Sequence, residues 1–222
     1  MPIVSPTWFF GFDTIVYFAC AVIGFFISSR TSKLYSVSHN RTHRFLFLGF
    51  SLLSVAFLIL GLTSWYNYSF SKYSIFYFKF CLQTSTNSCT VNLSEAMFDL
   101  DDLGNSLFFI LSTAAYAFFV MMYFPKKIYF TAFLPLLLSF NQYFYTISIF
   151  LLSYVFFSSL FNFLQDKNRY RLLVLLGFIG LTIYEFCLVF PYVSAALYVD
   201  YHIFLLFSFI SFLTMVTLVQ KK

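Results

Sequence analysis

A chain of 222 residues that is 61% hydrophobic and 9% charged, with mean hydropathy +0.85, is too apolar for a soluble globule, where about a quarter of residues carry charge. The net charge of +5 would point to nucleic acid in a soluble protein, yet here the basic residues stand at the ends of apolar runs, where membrane orientation and anionic lipid headgroups account for them. Composition therefore predicts a single all-α integral membrane domain over residues 1–222, with the lipid bilayer as its main partner and no nucleic acid. The quarter of the chain that is aromatic reads as compositional drift and carries no ligand signal.

Taken in order, the first apolar run spans about 8–28, anchored by Trp8, and its flank lacks the basic stretch of a cleavable signal. Arg30, Lys33, Arg41 and Arg44 follow, with His39 and His43 among them, and mark an inner side. The second run, about 45–64, ends at the interfacial pair Trp65 and Tyr66. An outer loop, 65–105, then changes character. Phe76, Phe78 and Phe80 alternate at period two, which predicts a strand over Tyr73–Cys81, and Cys81 and Cys89 are spaced to staple a hairpin on the oxidising side. A short acidic helix, Glu95–Leu103, is expected to stop at Gly104, giving a small lid.

The third run, about 106–124, ends at Pro125, Lys126 and Lys127. The following stretch to Gln165 is too long for one crossing and has basic residues at both ends, so it must leave and return. It divides at Asn141–Tyr145 into runs of about 128–141, kinked by Pro135, and 145–164. Lys167, Arg169 and Arg171 then precede the sixth run, about 172–190. The seventh is about 201–219, ahead of Lys221 and Lys222. Of the 13 Lys and Arg, all but Lys72 and Lys79 thus fall in alternate gaps. Because cationic residues are retained on the cytoplasmic side, the expectation is a seven-transmembrane-helix bundle in the cell membrane, N-terminus outside and C-terminus cytoplasmic. Gly24, Gly177, Gly180 and the Ser208–Ser211 pair suit close helix packing or contact with a second copy.

Charged groups at bilayer depth are costly and are functional hypotheses by default. Asp13 and Glu185 qualify, both about 8–9 Å below the outer boundary at the helical rise. Asp200 and His202 begin the seventh run, and Asn141 and Tyr145 flank an outer turn, so the candidate ligand or ion site is Asp13, Glu185, Asp200, His202, Asn141 and Tyr145. Together they would form an outward-facing acidic vestibule suited to a cation, a proton or an amine. The plainer reading has Asp13 solvated at the interface, Asp200 capping its helix and neighbouring hydroxyls such as Tyr184 satisfying Glu185. His39 and His43 have metal-ligand spacing but cationic neighbours, so no metal is expected. No hydrolase motif, no cofactor motif and no lysine within the seventh run for a Schiff base is present, so neither cofactor nor enzyme activity is expected. Sequons occur at Asn40, Asn67 and Asn92.

The topology resembles, in shape, seven-helix membrane sensor or receptor-like proteins. The expected function is accordingly a non-enzymatic membrane protein of sensor, receptor-like or assembly type, with a protein partner or a second copy as further partner. The alternative is a small secondary transporter or channel using Asp13 and Glu185.

Overall fold

The computed structural model describes residues 11–84, 93–123, 144–189 and 195–220. These form six helices: α1 (Phe12–Ser38), α2 (Arg41–Thr84), α3 (Leu93–Tyr123), α4 (Phe144–Gln165), α5 (Arg169–Val189) and α6 (Ala195–Gln220). Among the described residues there is no strand. Each helix contains a stretch long and apolar enough to cross a membrane, so the chain has the architecture of a multi-pass membrane protein. In hydrocarbon no water is available to the backbone, and a helix satisfies every interior N–H and C=O within one segment. The outward faces agree with such a solvent, because Phe150 is 73% exposed and Phe157 is 63% exposed on α4.

Two tight turns join helices at one end of the bundle. At the α1–α2 turn His39 adopts a left-handed φ of 48° and its amide donates to the Tyr35 carbonyl at 2.8 Å, which ends α1. The Asn40 side chain then accepts from the Thr42 amide at 3.0 Å and starts α2. The α4–α5 turn repeats this chemistry, with Asn168 accepting from the Tyr170 amide at 3.2 Å and Arg171 donating to the Asn162 carbonyl at 2.7 Å. Both turns carry the Arg and Lys residues expected on the inner side, so this is the basic end of the molecule.

The helices pack in a closed ring, each against its neighbours in the chain and α6 against α1. Neighbouring directions are mixed. Asp13 meets Tyr198 at one end while Arg30 meets Gln220 at the other, so α1 and α6 run parallel. Phe144 stacks on Phe109 at 4.2 Å, and Tyr123 and Tyr154 line one hollow further along, so α3 and α4 are parallel too. Tyr123 and Phe144 therefore lie at opposite ends of the bundle.

Aromatic rings fill the middle of the ring of helices. Phe50 on α2 has ring centroids 5.1 Å from Phe119 on α3 and 4.9 Å from Phe212 on α6, and Phe178 on α5 closes the group at 4.9 Å from Phe212. Small residues make room for them. Phe119 occupies the space a side chain at Gly49 would need, and a Cβ at Gly177 would stand 2.5 Å from the Phe212 ring. Ser208 donates to the Gly177 carbonyl at 2.6 Å, so the small residues singled out on α5 and α6 serve packing inside the bundle.

Several expectations are corrected. The period-two stretch Tyr73–Cys81 is helical, part of an α2 that runs unbroken to Thr84. No Gly or Pro stands between Leu62 and Thr84 to stop propagation, and once a helix is nucleated each added residue gains a hydrogen bond. Gly104 does not end a short helix. It lies within α3, where Thr63 of α2 occupies the space a Cβ would need, and among the described glycines only Gly11 has positive φ. The loop expected over 65–105 is thus mostly two helix extensions. The α1 and α2 ends likewise enter the region read as a loop at 29–44. The Cys81–Cys89 pairing, the fourth run at 128–141 and Asn141 lie outside the described residues, whereas Cys20 and Cys187 are free thiols.

Candidate functional site

Away from the basic end the interior changes from phenylalanine to hydroxyls and titratable groups. Asp13 and Tyr17 lie one turn apart on α1, and Tyr198, Tyr201 and His202 share a face of α6 at i, i+3 and i+4 spacing. Since α1 and α6 run parallel side by side, these two sets meet. Tyr198 donates its hydroxyl to Asp13 Oδ2 at 3.3 Å, and Asp13 Oδ1 accepts from the Thr14 amide at 2.8 Å.

His202 sits deeper, 1% exposed, with Nδ1 2.8 Å from the Tyr198 carbonyl. A carbonyl only accepts, so Nδ1 must carry hydrogen, and this sets the tautomer of the neutral ring. Nε2 is then left to face the Tyr17 hydroxyl, 3.1 Å away. The imidazole also stacks on Tyr201 with centroids 4.4 Å apart. Tyr17 in turn lies against the Tyr184 hydroxyl of α5.

The second carboxyl belongs to a separate part of the same layer. Glu185 on α5 is fully buried, and its Oε1 accepts from the Tyr116 hydroxyl of α3 at 2.7 Å. Its Oε2, equally buried, has no hydrogen-bond partner among the described residues. Tyr145 on α4 lies within the field of this carboxyl. Tyr184 connects the two parts, its ring 5.6 Å from Tyr201 and 6.1 Å from Phe57.

Of the site residues expected from sequence, Asp13 and His202 are brought together through Tyr17 and Tyr198, and Glu185 and Tyr145 share the α4–α5 side. Asp200 is exposed, because two residues along a helix from both Tyr198 and His202 is the opposite face. Sequence reasoning missed Tyr17, Tyr116, Tyr198 and Tyr201 by treating the aromatic excess as drift. The available signal was their depth: each falls within about a turn of Asp13, Glu185 or His202 on its own or a facing helix.

No family profile, curated protein or solved structure matches this chain. Its geometry is therefore the guide to its function. The arrangement offers hydroxyl and carboxyl oxygens and one imidazole, and among the described residues no group of three His, Cys, Asp or Glu comes together. That chemistry suits holding a proton, a small cation or a hydrogen-bonding ligand.

Proposed function

We propose that this is a non-enzymatic multi-pass membrane protein of sensor, receptor-like or membrane-assembly type, whose responsive part is the hydroxyl-rich layer built on Asp13, Tyr17, Tyr116, Tyr184, Glu185, Tyr198 and His202. The observation that carries this reading is the division of the interior. The polar layer ends on Phe57, and beyond it Phe50, Phe119, Phe178 and Phe212 pack tilted or edge to face while the buried hydroxyls of Ser54, Ser208 and Ser211 are bonded to backbone carbonyls, which supports a core without a continuous polar route to the basic end. A sensor needs a polar layer only where it binds; a conduit needs one throughout.

Two features support the sidedness. The end bearing Arg30, Arg41, Arg44, Arg169 and Arg171 faces the cytoplasm of a cell-membrane protein by the positive-inside rule, with Asp13 and Glu185 toward the exterior. Tyr123 and Phe144 lie at opposite ends of the bundle, as the sequence expectation of a further apolar run between them requires. This supports seven crossings with the N-terminus outside. A groove of about 650 Å³ between α1 and α6, lined by Arg30, Lys33 and Gln220, suits anionic lipid headgroups at the inner leaflet.

One observation favours a second reading, cation or proton transport through Glu185: the unpartnered Oε2, since orphaned buried groups mark functional sites. Proton and alkali-cation flux in proteoliposomes, for the parent and Glu185→Gln, separates the two. The sensor reading expects no flux from either protein. Flux in the parent that disappears on substitution would replace it with transport. Tags on Met1 and Lys222 should prove reachable from opposite sides, and access from one compartment would overturn the topology.

A further inference from the structure

Serine and threonine hydroxyls inside helices ordinarily turn back onto the carbonyl three or four residues earlier. In this chain Thr31, Ser54, Ser112, Thr182 and Ser211 all do so, at 2.5 to 2.8 Å. Thr113 on α3 and Ser148 on α4 do not. Both are buried, Ser148 completely, and neither hydroxyl oxygen has a hydrogen-bond partner among the described residues. Thr14 Oγ1 on α1 is likewise buried without a partner, and Thr113, Ser148 and Glu185 Oε2 are the other three such oxygens among the described residues.

The helix register brings the three toward one seam. Phe109 and Phe144 stack at 4.2 Å, and since α3 and α4 run parallel, the residues one turn further on, Thr113 and Ser148, stay level. Tyr116 shares the face of Thr113 at i+3 and holds Glu185 Oε1 at 2.7 Å. α4 and α5 run antiparallel away from the turn where Arg171 bonds to Asn162, and an equal count of residues along each from that bond brings Glu185 level with Ser148. Thr113 and Ser148 thus flank Glu185 from the two helices it faces.

We propose that Glu185, Thr113 and Ser148 form a binding site for a dehydrated monovalent alkali cation, sodium, at the seam of α3, α4 and α5. The donors are hard oxygens, which select alkali and alkaline-earth ions over softer metals. One carboxylate balances a single positive charge and leaves a divalent ion uncompensated, an expensive state in hydrocarbon. Glu185 and Ser148 are completely buried, so an ion held there sheds its water. Tyr116 fixes the carboxyl by occupying Oε1 and leaves Oε2 for the ion. This site rests on the reading of the polar layer as the working part of the protein, and it names what the Glu185 side of that layer recognises.

The test is thermal unfolding of the full chain in lipid nanodiscs, with sodium chloride replaced by choline chloride at constant pH and ionic strength. A ligand that binds only the folded state stabilises it in proportion to the logarithm of its excess, so the midpoint should rise by about 5 to 10 °C at a hundredfold excess of sodium over its Kd. Glu185→Gln should abolish the rise. Ser148→Ala and Thr113→Val should move half-saturation about tenfold higher, the scale of one lost oxygen ligand, while Asp166→Ala, in the exposed turn, leaves it in place. A midpoint equal in sodium and choline, as a trapped water would give, overturns the site, and so does a sodium response that survives Glu185→Gln. Should Glu185→Gln fail to fold, Ser148→Ala decides the matter: unchanged half-saturation overturns the proposal. Absence of a sodium effect with tags still on opposite sides and no flux would overturn the cation alone; tags on one side would overturn the broader reading whether or not sodium binds.

Discussion

The two halves of the bundle are equally buried and differently held. Toward the basic end, Phe50, Phe119, Phe178 and Phe212 meet at tilted or edge-to-face angles, and Gly49 and Gly177 let their rings approach the facing backbones. Toward the acidic end, Tyr17, Tyr116, Tyr184, Tyr198 and Tyr201 place rings of similar size in similar space, and hydroxyls among them reach Asp13, Glu185 and His202. Within a bilayer, helix association gains little from the hydrophobic effect, because lipid tails are as apolar as the core, and it depends on packing and interhelical hydrogen bonds. The phenylalanine half uses the first of these and the tyrosine half adds the second. A ring with a hydroxyl costs nothing extra where its partner is supplied and becomes a liability where it is not.

The largest effect expected from disturbing this contrast lies in the phenylalanine half. Phe50→Ala removes a ring that touches three others and leaves a cavity, so thermal or denaturant unfolding should show a loss of about 3 kcal/mol; a loss under about 1 kcal/mol would mean that the rings do not hold the bundle. In the tyrosine half, Tyr116→Phe keeps the ring and strips the donor from Glu185. Its expected cost is about 1 to 2 kcal/mol, and in a double-mutant cycle with Glu185→Gln the two changes should be clearly non-additive. Additive behaviour would show that the 2.7 Å contact carries no coupling. Ser208→Ala, which breaks the bond from α6 to the Gly177 carbonyl, should cost about 0.6 kcal/mol, the usual size of such a bond in a membrane. Smallest of all, Asp166→Ala removes one partner of the exposed Arg171–Asp166 pair, 3.2 Å apart, and should shift stability by no more than about 0.5 kcal/mol.

Much of the architecture could be read from residue order, because the bilayer imposes strong rules. Sorting of Arg and Lys into alternate gaps marked the end where Arg30, Arg41 and Arg171 gather, and apolar runs placed the six described helices, α4 to within a residue at either end. Boundaries were harder where polarity returns, since a helix already nucleated in lipid carries on through Ser29–Ser38 and through the aromatic alternation of Tyr73–Cys81 with no breaker to stop it. Gly104 read as a stop because glycine so often caps helices, while its use here is to admit Thr63 of a neighbouring helix, which only tertiary structure reveals. Of the groups that position along the runs singled out, Asp13, Glu185 and His202 lie away from the basic end among tyrosine hydroxyls, and Asp200 is exposed. Their partners were invisible for a different reason: Tyr17 meets His202, and Tyr116 meets Glu185, only after the ring of helices has closed, and nothing in local order says which face of α3 looks toward α5.

One consequence of the longest element is mechanical. At 44 residues α2 would measure about 66 Å, roughly twice the hydrocarbon thickness, and it is one continuous rod from Arg41 to Thr84. That is more than one crossing needs, and its foot is set in the tight turn beside Asn40. A helix resists bending and twisting along its whole hydrogen-bonded length, so a pull or a rotation applied near Thr84 would arrive at the Arg41 turn with no hinge on the way.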